Sequence, residues 1–313
     1  MLPLVTVVTP AYNRARYLDE TIESVLSQDY PSIEYIVLDD GSTDDTPHIL
    51  ARYEGRIIRA SHPNMGETRT VNKGWGMARG DFVITVNSDD PLFPGAISEA
   101  VAFMKDHPDV LVGYPDWDMI GPQSELVEHR QVPEYDYMLM LKRHYCVVGP
   151  GAIMRRQVFQ LAGMRDPEFK YVADFDFWLR VGLRGNFARI PRTLATWRIH
   201  PESATVVEQG SDMADEHIRL VEKIYSRTDL LPEVRRAKAS AFAWAHYFIG
   251  IGIAQDGDHL RRKHYLNALR YCPQSFVCGD FGGAFRITLY VCLPNPIFVP
   301  LSHCWRRARH VIK

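Results

Sequence analysis

Four polar residues, NSDD at positions 87–90, directly follow the apolar run FVITV. Polar side chains at the end of a buried strand are expected to face a cavity, because burying them in the core without partners is costly. The adjacent carboxylates of Asp89 and Asp90 suit a hard cation such as Mg²⁺ or Mn²⁺, which keeps water and phosphate oxygens in its shell. The alternative is an Asp-rich turn before Pro91, and the tetrapeptide alone does not decide between the two.

Two more polar clusters follow apolar runs earlier in the chain. The segment DDGSTDDT at residues 39–46 offers several oxygen acceptors, and Asp40 could accept a hydrogen bond from a nucleobase imide or amide. One of the two later aspartates of this segment is expected to cap the following helix. The segment TPAYN at residues 9–13 would place the Tyr12 ring beside a base, with a core or turn position as the alternative.

Basic residues near these clusters are candidates to neutralise a diphosphate. Arg14, Arg69 and Lys73 are the first three, unless they are simply solvated at the surface. In the later segment WRIHPES, Arg198 would steady a leaving phosphate and His200 would complete a metal shell. A structural role is the alternative for a single histidine.

Asp174 begins a predicted helix, VADFDFWLR, at residues 172–180. Phe175, Trp178 and Leu179 share one face of that helix and can pack inward. Asp174 could cap the helix, or its carboxylate could act as a general base toward a sugar hydroxyl at the edge of a cleft. Both roles remain open at this point.

The elements that must position these residues follow an alternating pattern. Short β-rich runs (LVTVVT, YIVLDD, RIIRA and FVITV) alternate with helical patterns between residues 4 and 87, which predicts βαβ units and a parallel sheet. Ligands gather at the carboxyl ends of parallel strands. The clusters at 9–13, 39–45 and 87–90 are therefore expected to converge on one crevice.

We divide the chain into a domain over residues 1–210 and a mostly helical region over residues 211–313. Within the first domain, residues 1–90 carry the three polar clusters, and residues 91–210 follow with a mixed pattern of strands and helices. The C-terminal region includes a proline-broken apolar segment at 287–301 and a basic tail, CWRRARHVIK. This composition suits either a membrane surface or a solvated basic end.

Composition excludes several classes of protein. The net charge of -2, from 36 basic and 38 acidic residues, gives no broad attraction to nucleic acid. The 5 cysteines lack Cys-x-x-Cys spacing, which argues against a disulfide framework or zinc site and favours a reducing compartment. No run reaches the roughly 18 apolar residues of a membrane span, and the amino terminus does not resemble a signal peptide. We expect a cytoplasmic protein, with peripheral contact at the inner face of the membrane as an option.

The motifs TPAYNR, DDGSTDDT, HPNMG, VNKGW, MARGDFVITVNSDD, ADFDFWLR and TWRIHPES occur in an order that resembles the family 2 glycosyltransferases. The resemblance covers about the first two thirds of the chain. It implies the GT-A fold, a Rossmann-like α/β architecture with a mostly parallel central sheet flanked by helices; the helical C-terminal region would be an appendage. It also implies inverting transfer of a sugar from a nucleotide diphosphate with Mn²⁺ or Mg²⁺ as cofactor. Residues 1–90 would then be the nucleotide-sugar half of the first domain and residues 91–210 its acceptor half.

Several site residues follow from the resemblance and from the candidates above. The expected nucleotide-binding set is Pro10, Tyr12, Asn13, Arg14, Asp40, Arg69, Lys73, Ser88 and Arg198. The expected metal ligands are Asp89, Asp90 and His200. Many members have an aspartate where Asn87 stands, so the site here carries less negative charge and Asp89 becomes the chief ligand.

Asp174 matches the catalytic base of the family, although Ala173 stands where relatives often have glutamate. The resulting hypothesis is a single in-line displacement in which Asp174 deprotonates an acceptor hydroxyl and the metal neutralises the leaving diphosphate. The expected donor is a UDP-sugar. The expected acceptor is a glycan or a lipid-linked sugar, in cell-surface polysaccharide synthesis.

Two other functions remain open from the sequence. A nucleotidyltransferase would share the sheet and the metal carboxylates, but the loop TPAYNRARYLDE lacks the glycines expected to hold a triphosphate. A sugar-nucleotide or glycan-binding module without catalysis would agree with Asn87. The presence of Asp174 and His200 argues against it.

Overall fold

The computed structural model describes residues 2–203, 210–253 and 258–273, which form two compact units. The first unit contains residues 2–137 and 146–203 and carries an eight-stranded sheet. The second contains residues 138–145 and the described residues from 210 onward, and it is helical. The apolar segment at 287–301 and the basic tail lie outside the described residues.

One half of the sheet is parallel. Its strands are β1 (Val5–Ala11), β2 (Ile33–Asp39), β3 (Ile58–Ser61) and β4 (Phe82–Thr85), in the spatial order β3-β2-β1-β4. All 7 residues of β1 are buried, because β2 and β4 pair with its two edges and helices cover its two faces. This arrangement explains the nearly continuous apolar runs in the sequence.

The other half of the sheet is mixed. Its strands are β5 (Val110–Ile120), β6 (Leu126–Arg130), β7 (Ile153–Arg155) and β8 (Asn186–Arg198). β7 runs antiparallel to β4 and β5, β6 runs antiparallel to β5, and β8 runs parallel to β5. A bridge between Leu92 and Ala195 brings the chain after β4 beside the end of β8. The segments NSDD and WRIHPES are therefore neighbours in space.

Helices pack on both faces of the sheet. The helices of the first unit are α1 (Leu18–Leu26), α2 (Thr46–Ala51), α3 (Glu67–Met77), α4 (Ala96–Asp106), α6 (Val158–Ala162) and α7 (Ala173–Gly182). The intervening helix α5 (Tyr137–Arg143) belongs, from residue 138 on, to the second unit. Ile22 of α1 and Ile97 of α4 belong to one core cluster with Val7, and all three are fully buried. On the opposite face, α3 approaches β1 so closely that a Cβ on Gly74 would lie 2.3 Å from a Val8 methyl carbon. A helix on each side thus holds β1 in place, as the predicted α/β class requires.

The second unit consists of helices after the short segment 138–145. They are α8 (Ser211–Ser226), α9 (Pro232–Arg236), α10 (Lys238–Phe248), a π-helical turn (Ile249–Ile253) and α11 (Asp258–Tyr271). Two buried histidine pairs lie inside this unit: His144 with His217, and His246 with His264. No helix in the described part of the chain is both long and apolar enough to cross a membrane.

Candidate active site

The loops that follow β1 and β2 are tied together by Asn13. Its backbone N–H donates to Ser42 Oγ at 2.9 Å, and its Oδ1 accepts from the Thr43 N–H at 2.8 Å. Asn13 has a φ of 51°, a left-handed conformation that asparagine tolerates better than most residues. Pro10 is buried inside β1, whereas the Tyr12 side chain is exposed at the strand end. The exposed ring of Tyr12 is therefore available to a planar ligand.

Asp40 holds the loop that leads into α3. Its Oδ1 accepts from the Met65 N–H at 2.8 Å and its Oδ2 from the Gly66 N–H at 3.0 Å. The adjacent Gly41 has a φ of 75°, and a Cβ there would lie 2.6 Å from the Asn64 nitrogen. Asp40 is thus a buried loop anchor, and a nucleobase would have to share its remaining lone pairs.

The N-cap residue of α2 is Asp45, whose side chain makes no cap hydrogen bond. Asp44, one residue earlier, supplies a side-chain acceptor at the helix start. Its Oδ1 accepts from the Thr46 N–H, and its Oδ2 accepts from the Ala15 N–H, both at 3.0 Å. Partial burial raises the pKa of the Asp44 carboxyl, but the hydrogen bonds from Thr46 and Ala15 outweigh it and leave that pKa below its usual value. The same side chain therefore joins the helix start to the loop after β1.

The two aspartates after β4 have different surroundings. Asp90 is buried, and its oxygens accept from Asn87 Nδ2 at 2.8 Å and from the Arg198 backbone N–H at 2.7 Å. Burial, followed by the charge of Asp89, raises the pKa of the Asp90 carboxyl well above its usual value. Asp89 Oδ2 instead lies 3.0 Å from His200 Nε2 and 3.3 Å from Arg14 Nε. Asp89 faces the other predicted ligand, whereas Asp90 holds the loop.

The Asp89 and His200 pair fits part of a metal shell. Carboxylate oxygen and imidazole nitrogen are both ligands for Mn²⁺ and related ions. Two adjacent ligands that lie about 2.1 Å from one ion are about 3 Å apart, which matches the 3.0 Å between these two atoms. Within the ranges that the structure describes, no group of three His, Cys, Asp or Glu side chains is arranged to hold a metal. A metal here would need further ligands from substrate and water.

Arg198 is enclosed by protein atoms, with 1% of its surface exposed. Its Nε donates to the Asp89 carbonyl oxygen at 2.9 Å, its Nη1 to Ser124 Oγ at 3.0 Å and its Nη2 to Glu20 Oε2 at 2.6 Å. Every guanidinium nitrogen therefore already has a protein acceptor. This placement does not favour the predicted contact between Arg198 and a leaving phosphate, and it assigns Arg198 an anchoring role. Neither Glu20 nor Ser124 lies in a recognisable sequence motif.

The remaining nucleotide candidates lie in the turn after β4 and on α3. Ser88 is buried directly before Asp89. Arg69 and Lys73 lie one turn apart on α3, with Arg69 exposed and Lys73 partly buried. Their contribution to donor binding stays a prediction.

Asp174 is exposed in the first turn of α7, one residue beyond the helix start. Its Oδ1 accepts from the Phe175 N–H at 2.7 Å, and the cap position itself belongs to Val172. Asp176, in contrast, is fully buried against Arg180 at 2.8 Å. Of these two aspartates, only Asp174 is accessible to an acceptor.

Comparison with known proteins gives the family. Residues 6–161 match the model of glycosyl transferase family 2. An uncharacterized protein of Mycobacterium tuberculosis is 30% identical over 296 residues, which cover 87% of this chain and 90% of that protein. The UDP-Glc:alpha-D-GlcNAc-diphosphoundecaprenol beta-1,3-glucosyltransferase WfaP of Escherichia coli is 28% identical, with 65% of this chain and 80% of that protein covered. The chain spans only 66% and 58% of the length of two uncharacterized glycosyltransferases, from Rickettsia prowazekii and Rickettsia typhi.

Solved structures give the same architecture. Residues 1–349 of Staphylococcus aureus TarS, in complex with UDP-GlcNAc, superpose with a TM-score of 0.65 and 20% identity over 86% of this chain and 82% of that chain. The mannosyltransferase PcManGT of Pyrobaculum calidifontis, in complex with GDP-Man and Mn²⁺, gives a TM-score of 0.59 and 16% identity over 97% of this chain and 83% of that chain. The predicted fold is confirmed, because both neighbours share the mixed α/β architecture of the GT-A fold with this chain. The chain belongs to glycosyl transferase family 2.

Proposed function

We propose that this chain transfers a sugar from a UDP-sugar to a hydroxyl of a glycan or lipid-linked acceptor, with inversion at the anomeric carbon. The observation that carries the proposal is the 3.0 Å approach of Asp89 to His200 beside the loops after β1 and β2. The name of WfaP, a UDP-Glc-dependent enzyme acting on a diphosphoundecaprenol-linked sugar, supports this donor and acceptor class. The UDP-GlcNAc complex of TarS supports the same donor nucleotide. Cell-surface polysaccharide synthesis is the role that we infer.

The donor would bind across the carboxyl ends of β1, β2 and β4. Tyr12 offers an exposed ring for the base, while Asn13 and Asp40 fix the two loops that frame it. Arg14 lies beside Asp89, with its Nε 3.3 Å from Asp89 Oδ2, and its charge would meet the diphosphate there.

Asp89 and His200 would hold Mn²⁺ or Mg²⁺ on one side of the crevice. The Asp89 oxygen suits either ion, and the His200 nitrogen favours Mn²⁺ over Mg²⁺, which prefers oxygen ligands. When bound, the metal would act as a Lewis acid that stabilises charge on the leaving diphosphate. Asp90 would not be a ligand in this proposal, since both of its oxygens accept hydrogen bonds inside the loop. Its role is to keep the loop in the shape that presents Asp89.

Asp174 would act as the general base. Its carboxylate is exposed in the first turn of α7, where an acceptor hydroxyl can reach it. General-base assistance by a positioned carboxylate contributes roughly 10²- to 10⁴-fold to a rate. The proton of the acceptor hydroxyl would pass to Asp174 as the hydroxyl oxygen attacks the anomeric carbon, and the bond to the nucleoside diphosphate would break.

A donor screen tests the proposal directly. UDP-, GDP- and dTDP-sugars are added to the full chain with and without Mn²⁺, and thermal unfolding is followed; a ligand at 100 times its dissociation constant stabilises the folded state by about 2.7 kcal/mol. The best donor is then incubated with diphosphoundecaprenol-linked and free sugars. Release of UDP together with a glycosylated product would support the proposal. Release of pyrophosphate would indicate a nucleotidyltransferase, and nucleotide binding without turnover on any acceptor would indicate a binding module.

The reaction would take place at the inner face of the membrane if the acceptor is lipid-linked. We infer a cytoplasmic protein with peripheral contact through its C-terminal region, on the basis of the basic tail in residues 304–313. Sedimentation with anionic vesicles, before and after removal of residues 274–313, tests this inference. Equal binding of both forms would contradict it.

A further inference from the structure

Three side chains, Glu20, Ser124 and Arg198, form a closed ring behind the Asp89 loop. Ser124 Oγ donates to Glu20 Oε1 at 2.7 Å and accepts from Arg198 Nη1 at 3.0 Å. Arg198 Nη2 donates to Glu20 Oε2 at 2.6 Å. Each member bonds to the other two, so none can change its conformation without breaking two hydrogen bonds.

The ring is attached to the loop through Arg198. Its Nε donates to the carbonyl oxygen of Asp89, and its backbone N–H donates to the Asp90 carboxylate. The guanidinium carbon also lies 4.8 Å from the centre of the Tyr17 ring, and the centre of the His200 ring lies 4.7 Å from that of the same tyrosine. Arg198 therefore touches the backbone of one predicted ligand and the aromatic support of the other.

Charge makes this arrangement dependent on Glu20. The Arg198 side chain has 0% exposure, and a buried charge without a partner is strongly unfavourable. Glu20 is its carboxylate partner and is itself 44% exposed on α1. If the Glu20 charge were removed, the Arg198 guanidinium would keep only neutral acceptors, namely two backbone carbonyl oxygens and the Ser124 hydroxyl. Arg198 would then be held less firmly, and so would Asp89.

The backbone of Ser124 gives an independent indication. Ser124 has a φ of 64° in the turn between β5 and β6, a conformation that glycine adopts with less strain. If the residue only had to form the turn, glycine would do so with less backbone strain. The serine side chain supplies the hydroxyl that both Glu20 and Arg198 use, so the local strain is offset by the ring.

We propose that Glu20, Ser124 and Arg198 are positioning residues that set Asp89 and His200 at the separation a divalent cation requires. This inference rests on the proposed function and extends it to residues outside the donor crevice. It predicts that loosening the ring weakens metal binding and lowers kcat, because residues that orient metal ligands typically change affinity or activity by 10- to 100-fold.

The test compares Ser124→Gly, Ser124→Ala and Glu20→Gln with Glu23→Gln. Glu23 is the matched control, because it lies one turn away on α1, is 50% exposed and pairs with Arg56 at the surface. Ser124→Gly removes the hydroxyl while relieving backbone strain, so its effect cannot be assigned to a damaged turn. Hydrogen exchange is measured on the peptide covering residues 86–92 in the ligand-free protein, and Mn²⁺ affinity is measured by electron paramagnetic resonance with UDP present.

For the three ring variants, we expect faster hydrogen exchange in this peptide and an Mn²⁺ dissociation constant that is about 10-fold higher than in the wild type. We also expect a lower kcat with little change in the donor KM. Glu23→Gln should match the wild type in all of these measurements. Unchanged exchange and unchanged Mn²⁺ affinity in both Ser124→Gly and Glu20→Gln would overturn the positioning role. If the wild type binds no Mn²⁺ with UDP and transfers no sugar, the proposed function fails. The exchange comparison would still decide whether the ring holds the loop.

Discussion

The Asn87 side-chain amide donates a 2.8 Å hydrogen bond to the buried carboxylate of Asp90. Family members with aspartate at the first position of this motif would place a carboxylate there instead. The amide in this chain supplies a donor to Asp90, which already experiences the negative charge of Asp89. Asn87 thus helps to hold the loop, and its replacement by aspartate should lower the free energy of unfolding.

Asn87→Asp should lower the free energy of unfolding by about 1–3 kcal/mol in the presence of EDTA, because a buried acceptor loses its donor and faces a like charge. The pKa of Asp90 is already raised by folding, so the stability linked to its protonated form is present at low pH and is lost as the pH rises through the folded-state pKa. In chemical denaturation, the loss of unfolding free energy in Asn87→Asp relative to the wild type should therefore be larger at pH 8 than at pH 5. Asn64→Asp makes the same chemical change at an exposed loop position and is the control. Equal stability of the two variants at pH 8 would contradict this role of Asn87.

Asp89→Asn and Asp90→Asn should affect different properties of the protein, metal affinity in the first and fold stability in the second. Asp89 faces His200 and Arg14, so the amide should weaken Mn²⁺ binding in the presence of UDP with little change in thermal stability. Asp90 accepts two hydrogen bonds in a buried position, so an amide there should destabilise the fold by about 1–3 kcal/mol. Calorimetric unfolding and Mn²⁺ titration of both variants separate the two effects. Equal loss of metal affinity without destabilisation in both would show that Asp90 is also a ligand.

Asp174→Asn should reduce transfer by roughly 10²-fold or more while donor affinity stays within about 2-fold of wild type, since the base acts on the acceptor. Asp176→Asn provides a contrast on the same helix. It removes the carboxylate from a buried pair with Arg180, and we expect a lower melting temperature. Transfer rates and donor titration measure the first effect, and thermal unfolding the second. Retained turnover in Asp174→Asn would remove this residue from the mechanism.

The helical unit should lose stability in acid. Burial lowers the pKa of His217 and of His246 to about 4, so both are neutral in the folded state. The stability linked to a histidine with a depressed folded-state pKa is present above the unfolded pKa of about 6.5 and is lost as the pH falls toward 4. Far-UV circular dichroism between pH 7 and pH 4 should show loss of helix, and His246→Phe should reduce the pH dependence. His48→Gln, at an exposed histidine, should leave the profile unchanged.

The parallel half of the sheet could be predicted because strands covered on both faces leave long apolar runs. The polar clusters after β1, β2 and β4 could be predicted as one crevice for the same reason, since the ends of parallel strands lie at one edge. Asp89 and His200, 111 positions apart, meet as the motif order suggests. That they bind a metal stays a prediction.

Other features had no local signal in the sequence. Asp89 and Asp90 are adjacent and chemically identical, and only the loop conformation directs one toward His200 and the other toward Asn87. Arg198 meets Glu20 across 178 positions, and neither Glu20 nor Ser124 belongs to a recognisable motif. Long-range side-chain contacts of this kind depend on the assembled sheet.

The bridge between Leu92 and Ala195 limits where this chain can be divided to build chimeras. A chimera cut after residue 90 would separate the Asp89 loop from the strand end that carries Arg198. An exchanged segment over residues 91–210 would therefore have to bring an arginine and a serine compatible with the resident Glu20. The two segments are thus not freely exchangeable in this chain, and libraries that recombine them should keep residues 20, 124 and 198 from one parent.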